Sequence, residues 1–476
     1  MLYFIINRLS EWALDSWGGF SYTGAMNEMK KAAALLAEIK AGKFHTIILA
    51  LPDMQGRWVG KRITARHFAE SLVEHGTHAC AYLLTVDMEM DPVPGYDLTS
   101  WTRGYQDFTL KPDYGTWRAL PWQPGTALVI CDVVDDEHRP VSVSPRQVLK
   151  DQVLRAWEAG FTLKMASELE FYLFRETYES AQKKNWTGLE HHGSYIEDYH
   201  ILQGTREEHV VGEIRNQMEA AGIPVECSKG EWGPGQNEIN LEYSTPVEMA
   251  DRHTVYKHGA KEIAMQKGCA LTFMAKFDSK LAGSSCHIHA SLWDRAGKKS
   301  AFWEGGKPSK NFSWFLGGQM ALARELSYFY APTTNSYKRY QAATFAPTRI
   351  AWARDNRTCG FRVVGEENSL RIENRIPGAD VNPYLAFAAT IAAGLYGIEN
   401  KIEPPQALEG NAYESAVQPV PKTLAEAIAL LEGSKAARES FGEAVFKHYL
   451  HTAKAEAAAH DRAVTDWEKG RNFERI

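Results

Sequence analysis

The stretches MASELEFYLF (165–174), QNEINLEY (236–243), CHIHASLW (286–293) and SLRIENRI (369–376) decide the fold. Each is an apolar run carrying a polar residue at every second position, and successive side chains on a strand point to opposite faces. One face of each strand therefore collects a polar set: Glu168 and Glu170; Glu238, Asn240 and Glu242; His287, His289 and Ser291; Arg371, Glu373 and Arg375. A solvated sheet face would account for any one of these strands. Four together, with acids, His and Arg concentrated in the polar set, predict a curved sheet enclosing a polar cavity.

Around these strands the chain reads as α+β. Strands are expected at 161–175, 236–244, 270–277 and 286–293, and helices at 205–221, 246–268, 312–330, 384–400, 421–433 and 436–460. The pair Ser144-Pro145 opens a further helix that runs to Gly160, since Ser caps and Pro suits the first turn. Upstream, NEMKKAAALLAEIKAG (27–42) is an Ala/Leu-rich helix closed by Gly42, and HTIILALPD (45–53) and TALVICDVV (126–134) are strands. Residues 91–125 hold five prolines and little periodicity, which predicts loop. The polar, breaker-rich DDEHRPVSVSP (135–145) marks a boundary. The expected organisation is an extension at 1–25, a small domain at 26–135 and a large one at 136–476.

The 476 residues carry 53 Lys and Arg against 59 Asp and Glu, a net charge of −6. This mildly acidic balance disfavours nucleic acid as the main partner, which would call for a basic stripe. No run of 18 uncharged apolar residues occurs, so no membrane helix is expected. MLYFIINRLSEWALDSW (1–17) is interrupted by Arg8, Glu11 and Asp15 and makes a poor signal peptide. The six cysteines lack CxxC spacing and read as free thiols of a cytoplasmic protein. Cys286 alternates away from its His neighbours into the core. KAEAAAH (454–460) reads as ordinary surface helix.

Carboxylates with a single imidazole form an oxygen-rich site that suits Mg²⁺ or Mn²⁺ better than zinc. Arginines beside them suit a phosphate or a substrate carboxylate. In KGEWGPGQNE (229–238) the Gly233–Pro234–Gly235 turn brings Glu231 and Glu238 toward one ion. Residue types alone thus point to metal-assisted phosphoryl chemistry on a nucleotide.

The motifs SELEF (167–171), GPGQNEI (233–239), the Lys257 to Lys276 pattern ending LTFMAK, AGSSCHIHASLW (282–293), PTTNSYKR (332–339), DNRT (355–358) and RIENRIPGADVNPYLAFAA (371–389) resemble the glutamine synthetase family in order and spacing. The resemblance runs from about Met26 to the C-terminus. It implies a β-grasp-like N-terminal domain and a catalytic domain with a curved antiparallel sheet backed by helices. It also implies ATP and two or three divalent ions. Glu170, Glu231 and Glu238 would hold the ion nearer glutamate, and Glu168, His287 and Glu373 the ion nearer the nucleotide phosphates. Glu226, Tyr243, His289, Ser291 and Arg371 would contact the nucleotide. Gly283, Arg339 and Arg375 would bind L-glutamate, Arg339 also counting as catalytic, while Arg357 and Arg362 would neutralise the transferring phosphate. A homo-oligomer, a dodecamer of two hexameric rings with Asp53 to Lys61 near a subunit contact, is implied as well.

The family pattern breaks at the ammonium site. Where ammonia-using members carry a Glu six residues after the Arg of NSYKR, YQAATFAP (340–347) puts Phe345. The Asp of the family's acidic segment persists as Asp87, but Met88, Glu89 and Met90 replace the small residues after it. An aromatic ring in place of a carboxylate disfavours a small cation and adds about 1.5–3 kcal/mol of apolar burial for a ligand with carbon. The sequence is similar to the γ-glutamylamide synthetase branch, and the implied reaction joins the γ-carboxylate of glutamate to an organic amine. Glutamine synthesis from ammonia is the alternative. Asp87, Glu89 and Asp91 alternate, either as a grip for the far ammonium of a polyamine or as a solvated strand edge. Ala282 and Ser285 replace the family's Asn and Gly. Tyr413 lies near where some members are adenylylated and reads as an ordinary exposed Tyr.

Overall fold

The computed structural model describes residues 22–476. The expected 1–25 extension, and the poor signal peptide within it, lie almost wholly outside the described residues, and the first helix, Tyr22–Lys40, begins ahead of the predicted 27. Next come β1 (Thr46–Pro52), β2 (Trp58–Thr64), β3 (Thr77–Cys80), β4 (Asp107–Pro112), β5 (Arg118–Ala119) and β6 (Thr126–Val134). They form a sheet in the order β2-β1-β6-β4-β3, with β5 paired to β6. Residues 91–125 are therefore not all loop. Strand β4 pairs with β3 on one side and β6 on the other and is buried at four of its six positions, so it shows no alternation to read. Pro112 sits at its end, where a missing N–H is tolerated.

The second sheet contains β7 (Phe161–Phe174), β8 (Val225–Gly230), β9 (Gln236–Leu241), β10 (Ala270–Thr272), β11 (Cys286–Asp294), β14 (Trp352–Arg354), β15 (Phe361–Val364) and β16 (Arg371–Asn374). A two-residue hairpin, β12 (Trp303–Glu304) with β13 (Lys307–Pro308), lies outside it. The order is β14-β15-β16-β11-β7-β9-β8, with β10 on β7. All its pairs are antiparallel except β14 with β15. Helices Pro145–Glu158, Ile201–Ala220, Pro246–Gln266, Lys310–Leu322 and Pro383–Glu399 supply much of the apolar core packed with it. The helix Pro383–Glu399 is buried at 14 of 17 positions, so it is apolar all round rather than on one stripe.

Three expected elements divide or shorten. The 312–330 helix splits into Lys310–Leu322 and Ser327–Tyr330, and 270–277 yields only the three residues of β10. The 436–460 helix is two, Lys435–Phe441 and Glu443–Arg462, because Gly442 takes a φ of 76° that terminates the first. The first half of Glu443–Arg462 is buried, and only its KAEAAAH half is surface.

Two buried polar contacts join the layers. Arg146 is 2% exposed and donates from Nε and Nη2 to Asp251 (3.1 and 2.9 Å), from Nη1 to Asp132 (2.6 Å) and from Nη2 to Asp113 (2.7 Å). Asp132 belongs to the first sheet, Asp113 directly follows its strand β4 and Asp251 lies on the helix Pro246–Gln266, so one guanidinium holds both halves. His448 packs its Nε2 at 3.1 Å from Met54 Sδ and its ring at 4.6 Å from Tyr96.

Burial pushes the His448 imidazole down to about 3, with His451 adding to it. The unfolded chain therefore binds a proton, at an ordinary value near 6.5, that the folded chain refuses. Stability is complete above about pH 6.5 and falls as the pH drops toward 3, by up to about 1.4 kcal/mol per unit from this group. Urea midpoints at pH 7.5, 6 and 5 are expected to fall less steeply in His448→Gln than in the parent; equal slopes would refute the assignment.

Candidate active site

Register builds the site. Strand β7 sets Glu168 opposite His287 of β11 and Glu170 opposite Glu238 of β9, and β11 sets His289 opposite Glu373 of β16. Arg362 of β15 lies opposite the same Glu373. All of these except His289 line a cleft of about 320 Å³ together with Glu231, Gly283, Arg339, Phe345, Arg357 and Arg375. The cleft is thus assembled from strands distant in sequence whose polar faces coincide.

One atom from each residue converges within 4.8 Å in three trios: Glu170, Glu231 and Glu238; Glu168, Glu238 and His287; Glu168, His289 and Glu373. The first is the trio expected for one ion. For the second ion Glu168, His287 and Glu373 were expected. His287 Nδ1 lies 3.1 Å from Glu168 Oε2 and 3.5 Å from Glu373 Oε1, while His289, expected as a nucleotide contact, also meets Glu168 at 2.9 Å. Glu238 belongs to two trios.

Crowding sets the protonation of these acids. Burial and the neighbouring Glu170 push Glu231 up to about 7, and burial with Glu231 pushes Glu238 well above the carboxylate range. Against burial, hydrogen bonds from His287 and His289 hold Glu168 far below it, and Arg375 holds Glu373 at about 2. Like charges directly opposite on a sheet destabilise it unless something positive intervenes. Lys229 does so in part: its Nζ pairs with Glu231 and lies 3.8 Å from Glu238. A carboxylate-rich set with two imidazoles, His287 and His289, acids packed closely enough to repel, and arginines beside them fits hard divalent cations.

Arg339 is 2% exposed, donating to the backbone carbonyls of Ile376 (2.9 Å) and Arg375 (3.0 Å). Arg375 donates to Glu373 (2.6 Å), and Arg362 to Glu373 (3.0 Å) and Asp355 (3.0 Å). Gly283 has no room for a side chain: a Cβ there would lie 2.6 Å from Arg339 and 2.7 Å from the Ala275 carbonyl. Farther along the same face, Arg371 Nε donates to His289 Nδ1 (3.2 Å) and Ser291 accepts from Trp293 (2.9 Å). Tyr243 is 63% exposed with Lys164 Nζ 5.5 Å from its ring centre. Glu226, Tyr243, His289, Ser291 and Arg371 do not line the cleft.

Asp87 does not reach this chain's own cleft either. The segment is a tight turn, not a strand edge: Asp87 Oδ1 accepts the backbone N–H groups of Glu89 (3.1 Å) and Asp91 (2.8 Å), an arrangement its short carboxylate favours. Tyr413 is half-buried with its hydroxyl enclosed, contrary to the exposed position expected. The sequence reading passed over Trp232, whose ring stands 5.6 Å from Phe345 and nearly edge-on at the cleft mouth; both are almost half exposed. It also discounted Ser285, which donates N–H (2.8 Å) and its hydroxyl to Glu170. Alternation carried that signal, since 285, 287, 289 and 291 share a face, as do Lys229 and Glu231.

Residues 142–471 match the glutamine synthetase catalytic domain. The chain belongs to the glutamine synthetase family. It is 50% identical over 442 residues to the γ-glutamylethanolamide synthetase GlnA4 of Streptomyces coelicolor, covering 93% of this chain and 95% of that one. It is 37% identical over 445 residues to a glutamate–isopropylamine ligase of a Pseudomonas species, covering 92% and 97%. The solved apo structure of GmaS superposes with a TM-score of 0.80 at 28% identity over 92% of this chain and 99% of that one. Glutamine synthetase family members use ATP and divalent metals, and the acidic trios fit that requirement.

A carboxyl held above its ordinary value costs stability as the pH rises, because the unfolded chain releases that proton first. Without added metal, Glu231 lowers stability between about pH 4.5 and 7. A divalent cation offsets the repulsion, so the rise in Tm on adding Mg²⁺ is expected to grow from pH 6 to pH 8 and to shrink sharply in Glu238→Gln. A Mg²⁺ response indifferent to both would contradict this assignment of the trio.

Proposed function

We propose that this protein is an ATP-dependent ligase that joins the γ-carboxylate of L-glutamate to an organic amine. Phe345 carries the reading. It stands where ammonia-using members have a carboxylate, and its ring faces Trp232 at the cleft mouth. Its backbone takes a φ of 58°, and Ala343 one of 61°, a conformation that costs about 1–3 kcal/mol in a residue with a side chain and that clusters at functional loops. The similarity to ligases of ethanolamine and isopropylamine supports the same acceptor class.

In this reading the glutamate γ-carboxylate attacks the terminal phosphorus of ATP, giving γ-glutamyl phosphate and ADP. The amine nitrogen then displaces phosphate to form the amide. Two or three Mg²⁺ or Mn²⁺ ions, held by Glu170, Glu231 and Glu238 and by Glu168, His287 and Glu373, would neutralise charge on the transferring group. Arg339 and Arg375 bind glutamate over Gly283, which leaves the backbone space for it. Arg357 and Arg362 offset the charge developing on phosphate, a contribution made mostly in the transition state. Glu226, Tyr243, His289, Ser291 and Arg371 hold the nucleotide at the other end of the sheet. Trp232 and Phe345 bury the carbon of the amine and can face its cationic form with their rings. We assign the catalytic unit to 136–476 and the N-terminal unit to 26–135. We further propose a cytoplasmic dodecamer in which Asp53 to Lys61, and Asp87, complete a neighbour's cleft. No described helix is long and apolar enough to cross a membrane.

Phosphate release with ATP, Mg²⁺ and L-glutamate is expected to be far faster with one of ethanolamine, isopropylamine, putrescine, spermine or aniline than with ammonium. Ammonium as the best acceptor would make the protein a glutamine synthetase. Trp232→Ala should raise the KM for the preferred amine about tenfold, with that for glutamate little changed, the loss of about 1.4 kcal/mol of ring contact. A stable, fully active monomer on sedimentation would overturn the shared-cleft assignment.

A further inference from the structure

A second cluster of metal-binding side chains lies apart from the acidic cleft. His192 lies between the short helix Tyr178–Lys183 and the helix Ile201–Ala220, His209 is on the latter, and Cys269 immediately precedes β10. One donor atom from each falls within 4.8 Å of the others. His192 and Cys269 are 6% and 5% exposed, whereas His209 is exposed, so the cluster opens to solvent on one side.

The surroundings orient both rings. His209 Nδ1 lies 3.2 Å from the backbone carbonyl of Arg206. His192 Nδ1 lies 3.7 Å from Glu207 Oε1, and both atoms are buried without any hydrogen-bond partner. Metal-bound imidazoles characteristically engage a carbonyl or carboxylate through one nitrogen and the ion through the other. With each Nδ1 turned toward such a group, an ion here would be met by Nε2 of each ring.

We propose that His192, His209 and Cys269 form a second cation site selective for a zinc-like ion. Two imidazoles and a thiolate are borderline-soft donors, which favour Zn²⁺ strongly over Mg²⁺, and three protein ligands leave a fourth position for water or Glu207. Binding breaks the Cys269 S–H bond, releases that proton to solvent and forms a metal–sulfur bond, with no change of oxidation state. The site also reaches the acidic cleft. Glu207 accepts a hydrogen bond from Asn237, adjacent to Glu238, and Glu197 accepts the N–H of Gly235 in the turn that carries Trp232.

The test uses the full-length protein in excess Mg²⁺, titrated with Zn²⁺ against a chromophoric chelator and separately with Co²⁺. The expected result is one Zn²⁺ per chain that Mg²⁺ does not displace, with a thiolate-to-cobalt charge-transfer band in the near ultraviolet. Both should weaken at least tenfold in His209→Ala, an exposed position whose loss leaves the core intact, and the band should vanish in Cys269→Ser. Cys227→Ser, which removes the thiol lining the acidic cleft, should leave both unchanged. Absence of a Mg²⁺-resistant Zn²⁺, indifference to His209→Ala, or a band that follows Cys227 would each overturn the proposal.

Discussion

Everything in the catalytic half depends on the register of β7 between β9 and β11. Glu168 and Glu170 are two residues apart on one strand and acquire their meaning only because Glu238 and His287 lie directly across from them. A slip of one residue would turn every polar side chain of β7 into the core and every apolar one into the cleft. Leu169, Phe171 and Leu173 on the opposite face are almost wholly buried, so hydrophobic burial fixes the register that the acids alone would disfavour. Apolar packing on one face thereby supports electrostatic crowding on the other. Arg362, Arg375 and Lys229, entering from the flanking segments, balance part of that charge.

The strand faces were legible because alternation is a local property. The four polar stretches and the Gly-Pro-Gly turn could be read directly; Glu168, Glu170, Glu231, Glu238 and Glu373 gather in one cleft, whereas Glu242, past the end of β9, does not. Strand β4 was illegible for the converse reason: buried on both sides, it has no polar period. The break at Gly442 was illegible because a glycine within a helical pattern does not state its φ. Trp232 was missed because one aromatic residue in a turn carries no period, and only tertiary contact sets it against Phe345. The Asp87 segment misled for a simpler reason. Acids alternating over five residues match a strand edge and a carboxylate-capped turn equally well, and hydrogen bonds to Glu89 and Asp91 distinguish them.

The cleft wall changes character from one end to the other. Toward β16 the acids and arginines form alternating charges suited to phosphate and carboxylate groups, and toward the turn at 232–235 the wall becomes aromatic. Ser285 illustrates how one substitution adjusts such a wall without changing its charge. By donating both its N–H and its hydroxyl to Glu170, it fixes a carboxylate that would otherwise turn to relieve repulsion from Glu238.

The guanidinium of Arg146 has a consequence for how the molecule comes apart. Chains of this length commonly unfold in stages, one layer at a time. Peeling the first sheet away here would strip Asp113 and Asp132 from a charge that remains enclosed with Asp251, and breaking a buried pair in this way costs about 3–5 kcal/mol. Partial opening between the layers is thereby penalised more than the loss of ordinary apolar contacts would require. The two sheets share one cooperative fate, and proteolytic nicking between them must await a concerted opening rather than the fraying of an edge.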